Sequence, residues 1–164
     1  MKVIPVKIKN VNVYPFQDME ELIDYTTDKK KLLLSLNAEI IMRAEGKIAD
    51  IINSNIGYAD GYGAIKVMYR KGEKGVKRIP GCELWLELIK RYHSLKTFYL
   101  IGSTEDTICV TVKKLKELYP DINIVGYRNG FIKEISEKEA LLVDVKERQP
   151  DFVFVAMGFP VQEL

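Results

Sequence analysis

LLLSLNAEIIMRAEGKIADIINSNIGYADGYG, residues 32–63, is the stretch whose reading decides the fold. Leu32 to Leu36 reads as a strand buried on both faces, because a short apolar run bounded by polar residues suits the interior of a parallel sheet. It stops at Asn37. A helix follows with Ile40, Ile41, Ala44, Ile48, Ile51 and Ile52 on roughly one side, and Gly46 is the place where that helix bends or breaks. A second apolar segment then delivers Asp60 into the turn Asp60-Gly61-Tyr62-Gly63. Neighbouring strands of a parallel sheet share one carboxyl-end rim, where ligands bind, so Asn37 and Asp60 are expected on that rim.

The pattern continues outward. Residues 2–14 alternate loosely and predict a small N-terminal strand pair turning near Lys9-Asn10. Asp18 and Glu21 form a capping box for a helix from Met19 to about Thr26. After the Asp60 turn a helix through Tyr69 is expected, and Pro80 fits the first turn of the next one, around Trp85. Residues 96–102, KTFYLIG, are the clearest strand. Ser103 or Thr104 caps a helix to Leu118 with Val110, Val112, Leu115 and Leu118 facing inward. INIVG (122–126) is a strand, Ser136 with Glu139 starts a further helix that Gln149-Pro150 stops, and DFVFVAMG (151–158) is a strand again. Strands alternating with helices make this an α/β protein, a Rossmann-like, mostly parallel sheet flanked by helices with a small strand pair at its N-terminus. A chain of 164 residues fits one domain, 1–164.

Charge and composition narrow the function. A net charge of +2 is too small to imply nucleic acid, and nucleic acid is not expected as a partner. The distribution is uneven: Lys66, Arg70, Lys71, Lys74, Lys77 and Arg78 lie against a single acid, Glu73. Such a cluster is either a solvated loop or a surface for phosphates or anionic lipid. No apolar run approaches the length of a membrane-spanning helix, and MKVIPVKIKN lacks the apolar core of an export signal. Cys82 and Cys109 have no metal-ligand spacing and are expected as free thiols.

Asp60, in a turn with Gly61 and Gly63, has two readings: a base that accepts a proton from an attacking hydroxyl, or an ordinary Asp-Gly turn. Arg78 precedes a helix start, where a guanidinium beside free backbone N–H groups suits a phosphate. Asn37 and Gln162 are neutral amides at strand ends, able to read a base or sugar edge. The turns expected at Gly102-Ser103-Thr104 and Gly126-Tyr127 lie on the same rim within reach of a nucleotide, although neither GxGxxG nor GxxxxGK[ST] is present. His93, the single histidine, looks like a polar helix-end residue, and no Cys, His and acidic cluster supplies a metal site.

SLNAEII (35–41), ADGYG (59–63), RIPG (78–81), FYLIG (98–102), IVGYRNGF (124–131) and MGFPVQE (157–163) occur in the order seen in the WecG/TagA/CpsF glycosyltransferases, and together the resemblance spans roughly residues 3–164. It implies an inverting, N-acetylmannosaminyltransferase-like enzyme. Such an enzyme moves a sugar from a UDP-sugar to an undecaprenyl-diphosphate-linked N-acetylglucosamine acceptor in cell-surface polymer synthesis. By the same resemblance Asp60 matches the general base, Asn37 a pocket asparagine, Gln162 the glutamine lining the donor site, and Arg78 the arginine facing a phosphate. No divalent metal or other cofactor is implied. The implied location is cytoplasmic, peripheral at the inner face of the plasma membrane, and a homo-oligomer is a further expectation. Cys82-Glu83 departs from the Ser or Thr, then Asp, usual after RIPG. Relatives continue past the QE motif into a basic appendage, so the sequence ending at Leu164 reads as a C-terminally truncated form. Two other functions fit the same residues: a UDP-sugar-binding protein without turnover, and a nucleotide-sugar hydrolase.

Overall fold

The computed structural model describes residues 3–27 and 29–164; Lys2, at the start of the expected strand pair, lies outside them. The residues fall into two compact units, one running to Leu86 and including Glu163–Leu164, the other Glu87–Gln162.

In the first unit, β1 (Val6–Ile8) and β2 (Val11–Val13) form the antiparallel pair, with Lys9 at the turn in a left-handed conformation, φ 53°. The Asn53 side chain braces the pair, accepting from the Asn12 N–H at 2.7 Å and donating to the Asn10 carbonyl at 2.9 Å. Helix α1 (Met19–Thr26) is capped by Asp18, which accepts from the Glu21 N–H at 2.9 Å. The Glu21 carboxylate reaches back one residue further than a capping box requires, to the Gln17 N–H at 2.8 Å. Strand β3 (Leu33–Leu36), helices α2 (Ala38–Arg43) and α3 (Gly46–Asn53), strand β4 (Ile56–Ala59) and helix α4 (Tyr62–Arg70) follow. The helix does break where Gly46 sits: Ala44 leaves helical geometry, and Gly46 takes φ +51°, which favours glycine.

The strand expected to be buried on both faces is β4 rather than β3. All of β4 is buried, whereas in β3 only Leu34 and Leu36 are, and Leu32 is exposed. Position explains this: β4 pairs in parallel with β3 and is also bridged by Tyr14.

Helix α5 (Gly81–Tyr92) carries the chain onward. Pro80 sits just before it rather than within its first turn, its carbonyl accepting from the Glu83 and Leu84 N–H groups. In the second unit β5 (Thr97–Gly102), α6 (Glu105–Leu118), β6 (Asn123–Arg128), α7 (Ile135–Arg148) and β7 (Phe152–Ala156) build a parallel sheet of order β6-β5-β7. The chain therefore lays β6 on one side of β5 and returns to lay β7 on the other.

Two helix details differ from expectation. The buried face of α6 is Ile108, Val112 and Leu115, while Val110 and Leu118 are 51% and 71% exposed. At about 100° per residue, Val110 stands roughly opposite Val112, so both cannot face the sheet. Helix α7 starts before Ser136: the Glu137 carboxylate accepts from the N–H groups of Glu134 at 3.0 Å and Lys133 at 2.8 Å. Arg128, at the end of β6, donates to Glu137 at 3.0 Å and selects this cap over Ser136 with Glu139. The Tyr99 hydroxyl donates to Asp144 at 2.6 Å, and the Tyr99, Ile101 and Leu141 cluster packs α7 onto the sheet. Mixed α/β architecture, parallel strands and an N-terminal strand pair are what the sequence predicts.

Candidate active site

Parallel register builds the rim of the first unit. Leu36 pairs with Ala59, so Asn37 and Asp60 leave β3 and β4 side by side. The Asp60 N–H closes the ladder on the Leu36 carbonyl at 3.1 Å. Asn37 caps α2, its side-chain oxygen accepting from the Ile40 N–H at 2.9 Å. Glycines 61 and 63 serve this junction: a Cβ on Gly61 would lie 3.3 Å from Asn37 Cα, and one on Gly63 3.0 Å from Ala38 Cβ. The close approach they permit is of α4 to the start of α2.

Asp60 and Arg78, read separately from the sequence, are brought together. Residues 78–81 run beside the end of β4, with the Ile79 N–H donating to the Ala59 carbonyl at 3.0 Å. Arg78 Nε donates to the Asp60 carbonyl at 2.6 Å, and its Nη2 lies 3.5 Å from Asp60 Oδ1. The Gly81 N–H, first of α5, donates to Asp60 Oδ2 at 3.3 Å. The helix start is thus not free, as expected for a bound phosphate; the chain's own carboxylate meets its N–H group and positive end. Both side chains stay accessible, Asp60 at 25% and Arg78 at 41% exposure. The bonds to the carboxylate are long, so it keeps lone pairs for a further donor, and the guanidinium keeps N–H groups directed elsewhere. The exposed Tyr62 ring lies 5.8 Å from Arg78 Cζ.

Sequence reasoning missed what lies beneath. Ser35 and Tyr58 are register partners, and their side chains are hydrogen-bonded. A Cβ on Gly81 would lie 3.3 Å from the Tyr58 hydroxyl and 3.3 Å from Ser35 Cβ, so α5 starts directly over this pair. Burial raises the Tyr58 hydroxyl above the usual phenol range, and the Asp60 charge adds to it. The signal was Ser35 itself, a hydroxyl interrupting an apolar run.

Gly102 and Gln162 lie in the second unit. Gly102 ends β5 where the sheet order reverses, the usual ligand-binding crevice of a parallel sheet. It has a packing duty there: a Cβ would fall 2.5 Å from the Ala156 carbonyl oxygen. Ser103, at φ 57°, accepts at its carbonyl from the Gly130 N–H at 2.9 Å. Gln162 folds back on the turn after β7, its Oε1 accepting from the Gly158 N–H at 3.1 Å. Its neighbour Glu163 is buried.

His93 directly follows α5, its N–H donating to the Ile89 carbonyl at 2.8 Å and its ring stacked 4.8 Å from Tyr119. Cys82 and Cys109 are free and exposed. Among the described residues no group of three or more His, Cys, Asp or Glu side chains is arranged to hold a metal ion, and no helix is long and apolar enough to cross a membrane. Compared with known protein families, residues 1–164 match the one described as "Glycosyl transferase WecG/TagA/CpsF family".

Proposed function

Because the chain belongs to the WecG/TagA/CpsF glycosyltransferase family, we propose that it moves a sugar, N-acetylmannosamine or a related hexose derivative, from a UDP-sugar to a polyprenyl-diphosphate-linked N-acetylglucosamine, with inversion. The observation that carries the chemistry is the accessible Asp60 carboxylate, set beside Arg78 on an open rim. The acceptor hydroxyl gives its proton to Asp60 while its oxygen attacks the anomeric carbon. The bond from that carbon to the diphosphate oxygen breaks on the opposite face, and UDP leaves with the electron pair. Arg78's outward N–H groups meet the charge that grows on the diphosphate. Asn37, Gly102 and Gln162 are further substrate-binding residues in the same proposal. The reaction needs no divalent metal and proceeds in the presence of a chelator. A peripheral place at the inner face of the plasma membrane, and assembly as a homo-oligomer, belong to the same proposal.

The test is transfer of radiolabelled sugar from UDP-N-acetylmannosamine to a short-chain lipid-diphosphate-N-acetylglucosamine. Asp60→Asn keeps an oxygen for the Gly81 N–H, so stability changes by less than about 1 kcal/mol, whereas kcat falls roughly 100- to 10,000-fold with the loss of the base. A variant within threefold of the parent refutes Asp60 as base. Free sugar released from the donor would make the protein a hydrolase, and UDP binding without transfer would make it a binder.

A further inference from the structure

We infer that α4 and the loop after it are a docking face for an anionic phospholipid bilayer. On α4, Tyr62, Lys66, Tyr69 and Arg70 recur at spacings of four, three and one, and all are exposed. Ala64 and Met68 are buried on the opposite side. Beyond the helix Lys71, Lys74 and Lys77 are also exposed.

The loop is held, but its cations are not. The Glu73 N–H donates to the Met68 carbonyl at 3.1 Å, and the Lys77 N–H to the Phe16 carbonyl at 3.2 Å. A Cβ on Gly75 would touch Gln17 at 3.4 Å. Arg78 is fixed on Asp60. Among the described residues none of Lys66, Arg70, Lys71, Lys74 and Lys77 forms an ion pair, although Lys and Arg elsewhere in the chain do so at Glu39, Glu45, Glu87, Asp144 and Asp151. A fixed backbone presenting five unneutralised cations beside exposed tyrosine rings fits a bilayer interface. There, tyrosine rings settle at headgroup depth and ammonium or guanidinium groups meet lipid phosphates. Double-stranded nucleic acid would use the cations and leave the tyrosines idle. The placing of Asp60, two residues before Tyr62, toward a lipid-linked acceptor rests on the transferase reading; the lipid contact itself does not.

The experiment is co-sedimentation of the full chain with vesicles of phosphatidylcholine alone and with phosphatidylglycerol added. Each juxtamembrane cation contributes about fivefold in partitioning onto an anionic surface. Binding is expected only with phosphatidylglycerol and weakens as salt rises. It falls about a hundredfold in Lys66→Gln/Lys71→Gln/Lys74→Gln and is kept in Lys113→Gln/Lys114→Gln/Lys116→Gln, which removes the same charge from α6. Absence of binding, equal loss in both triple variants, or tighter binding to a DNA duplex than to vesicles would overturn the inference. The vesicles contain neither donor nor acceptor, so this outcome is independent of turnover. With a soluble acceptor, the triple variant of α4 and its loop keeps the parent transfer rate.

Discussion

Replacing Gly102 by alanine separates a nucleotide-contacting role from a sheet-holding one. Gly102 has φ +151°, and a Cβ there would lie 2.5 Å from the Ala156 oxygen, 2.9 Å from its carbonyl carbon and 2.9 Å from its Cβ. All three belong to a strand end rather than to a flexible side chain. Relief requires the ends of β5 and β7 to part by roughly 1 Å, which opens the last rung, Gly102 with Ala156, and the Ser103 N–H bond to the Ala156 carbonyl. The backbone conformation costs about 1–3 kcal/mol and the overlap about 1–3 kcal/mol more. For a chain of this size about 1 kcal/mol lowers Tm by 2–4 °C, so Gly102→Ala should unfold at least ~4 °C early and by more as the overlap tells. Gly46→Ala is the internal control, because Gly46 has φ +51° with nothing within 4 Å of its absent Cβ. It carries only the backbone cost, about 1–2 kcal/mol. Thermal unfolding by circular dichroism and UDP titration calorimetry, on both variants and the parent, give the answer. A Gly102→Ala protein as stable as Gly46→Ala, but with weakened UDP binding, would refute the packing argument and return Gly102 to a purely ligand-contacting role.

Tyr58 should stay protonated through ordinary alkaline titration, because burial comes first among the causes that raise it and the Asp60 charge reinforces it. Tyr58→Phe is therefore expected to leave the 295 nm absorbance rise below about pH 11 unchanged; a smaller amplitude there would show that the hydroxyl is not so enclosed. Burial and then the bond to Asp144 push the Tyr99 hydroxyl up to about 12, and the same bond, ahead of Arg148, holds Asp144 below its ordinary value of 3.8. A carboxylate with a depressed folded pKa adds stability above its unfolded value and loses that contribution as pH falls through the folded one. Tyr99→Phe should thus raise the Asp144 midpoint seen by carbon-13 NMR. Its loss of unfolding free energy should be larger at pH 7 than at pH 3, and an equal loss at both would contradict the linkage.

Local features were legible wherever a single turn of chain decides the outcome. Asp18 and Thr104 cap their helices because the acceptor oxygen and the N–H it meets are three residues apart. β5 was plain because Phe98 to Ile101 is apolar throughout and Gly102 ends it. The start of α7 was not, since Ser136 with Glu139 and Glu134 with Glu137 are competing capping pairs and Arg128 on another element makes the choice. The order of burial in β3 and β4 was also hidden, because it depends on which strand gains the Tyr14 bridge.

The sequence by itself determined the alternation of strands and helices, the break at Gly46, and the delivery of Asn37 and Asp60 to the ends of neighbouring parallel strands. Each follows from hydrophobic period, glycine conformation or strand termination, all encoded within a few residues. Only the tertiary structure decided that Arg78 and the Gly81 N–H turn toward Asp60, that Ser35 and Tyr58 pair beneath them, and that among the described residues five cations after Tyr62 form no ion pair. Those outcomes depend on strand register and on backbone brought together across 18 to 23 residues. Side chains that distant compete for partners, and the winner is set by packing geometry rather than by neighbourhood in the chain.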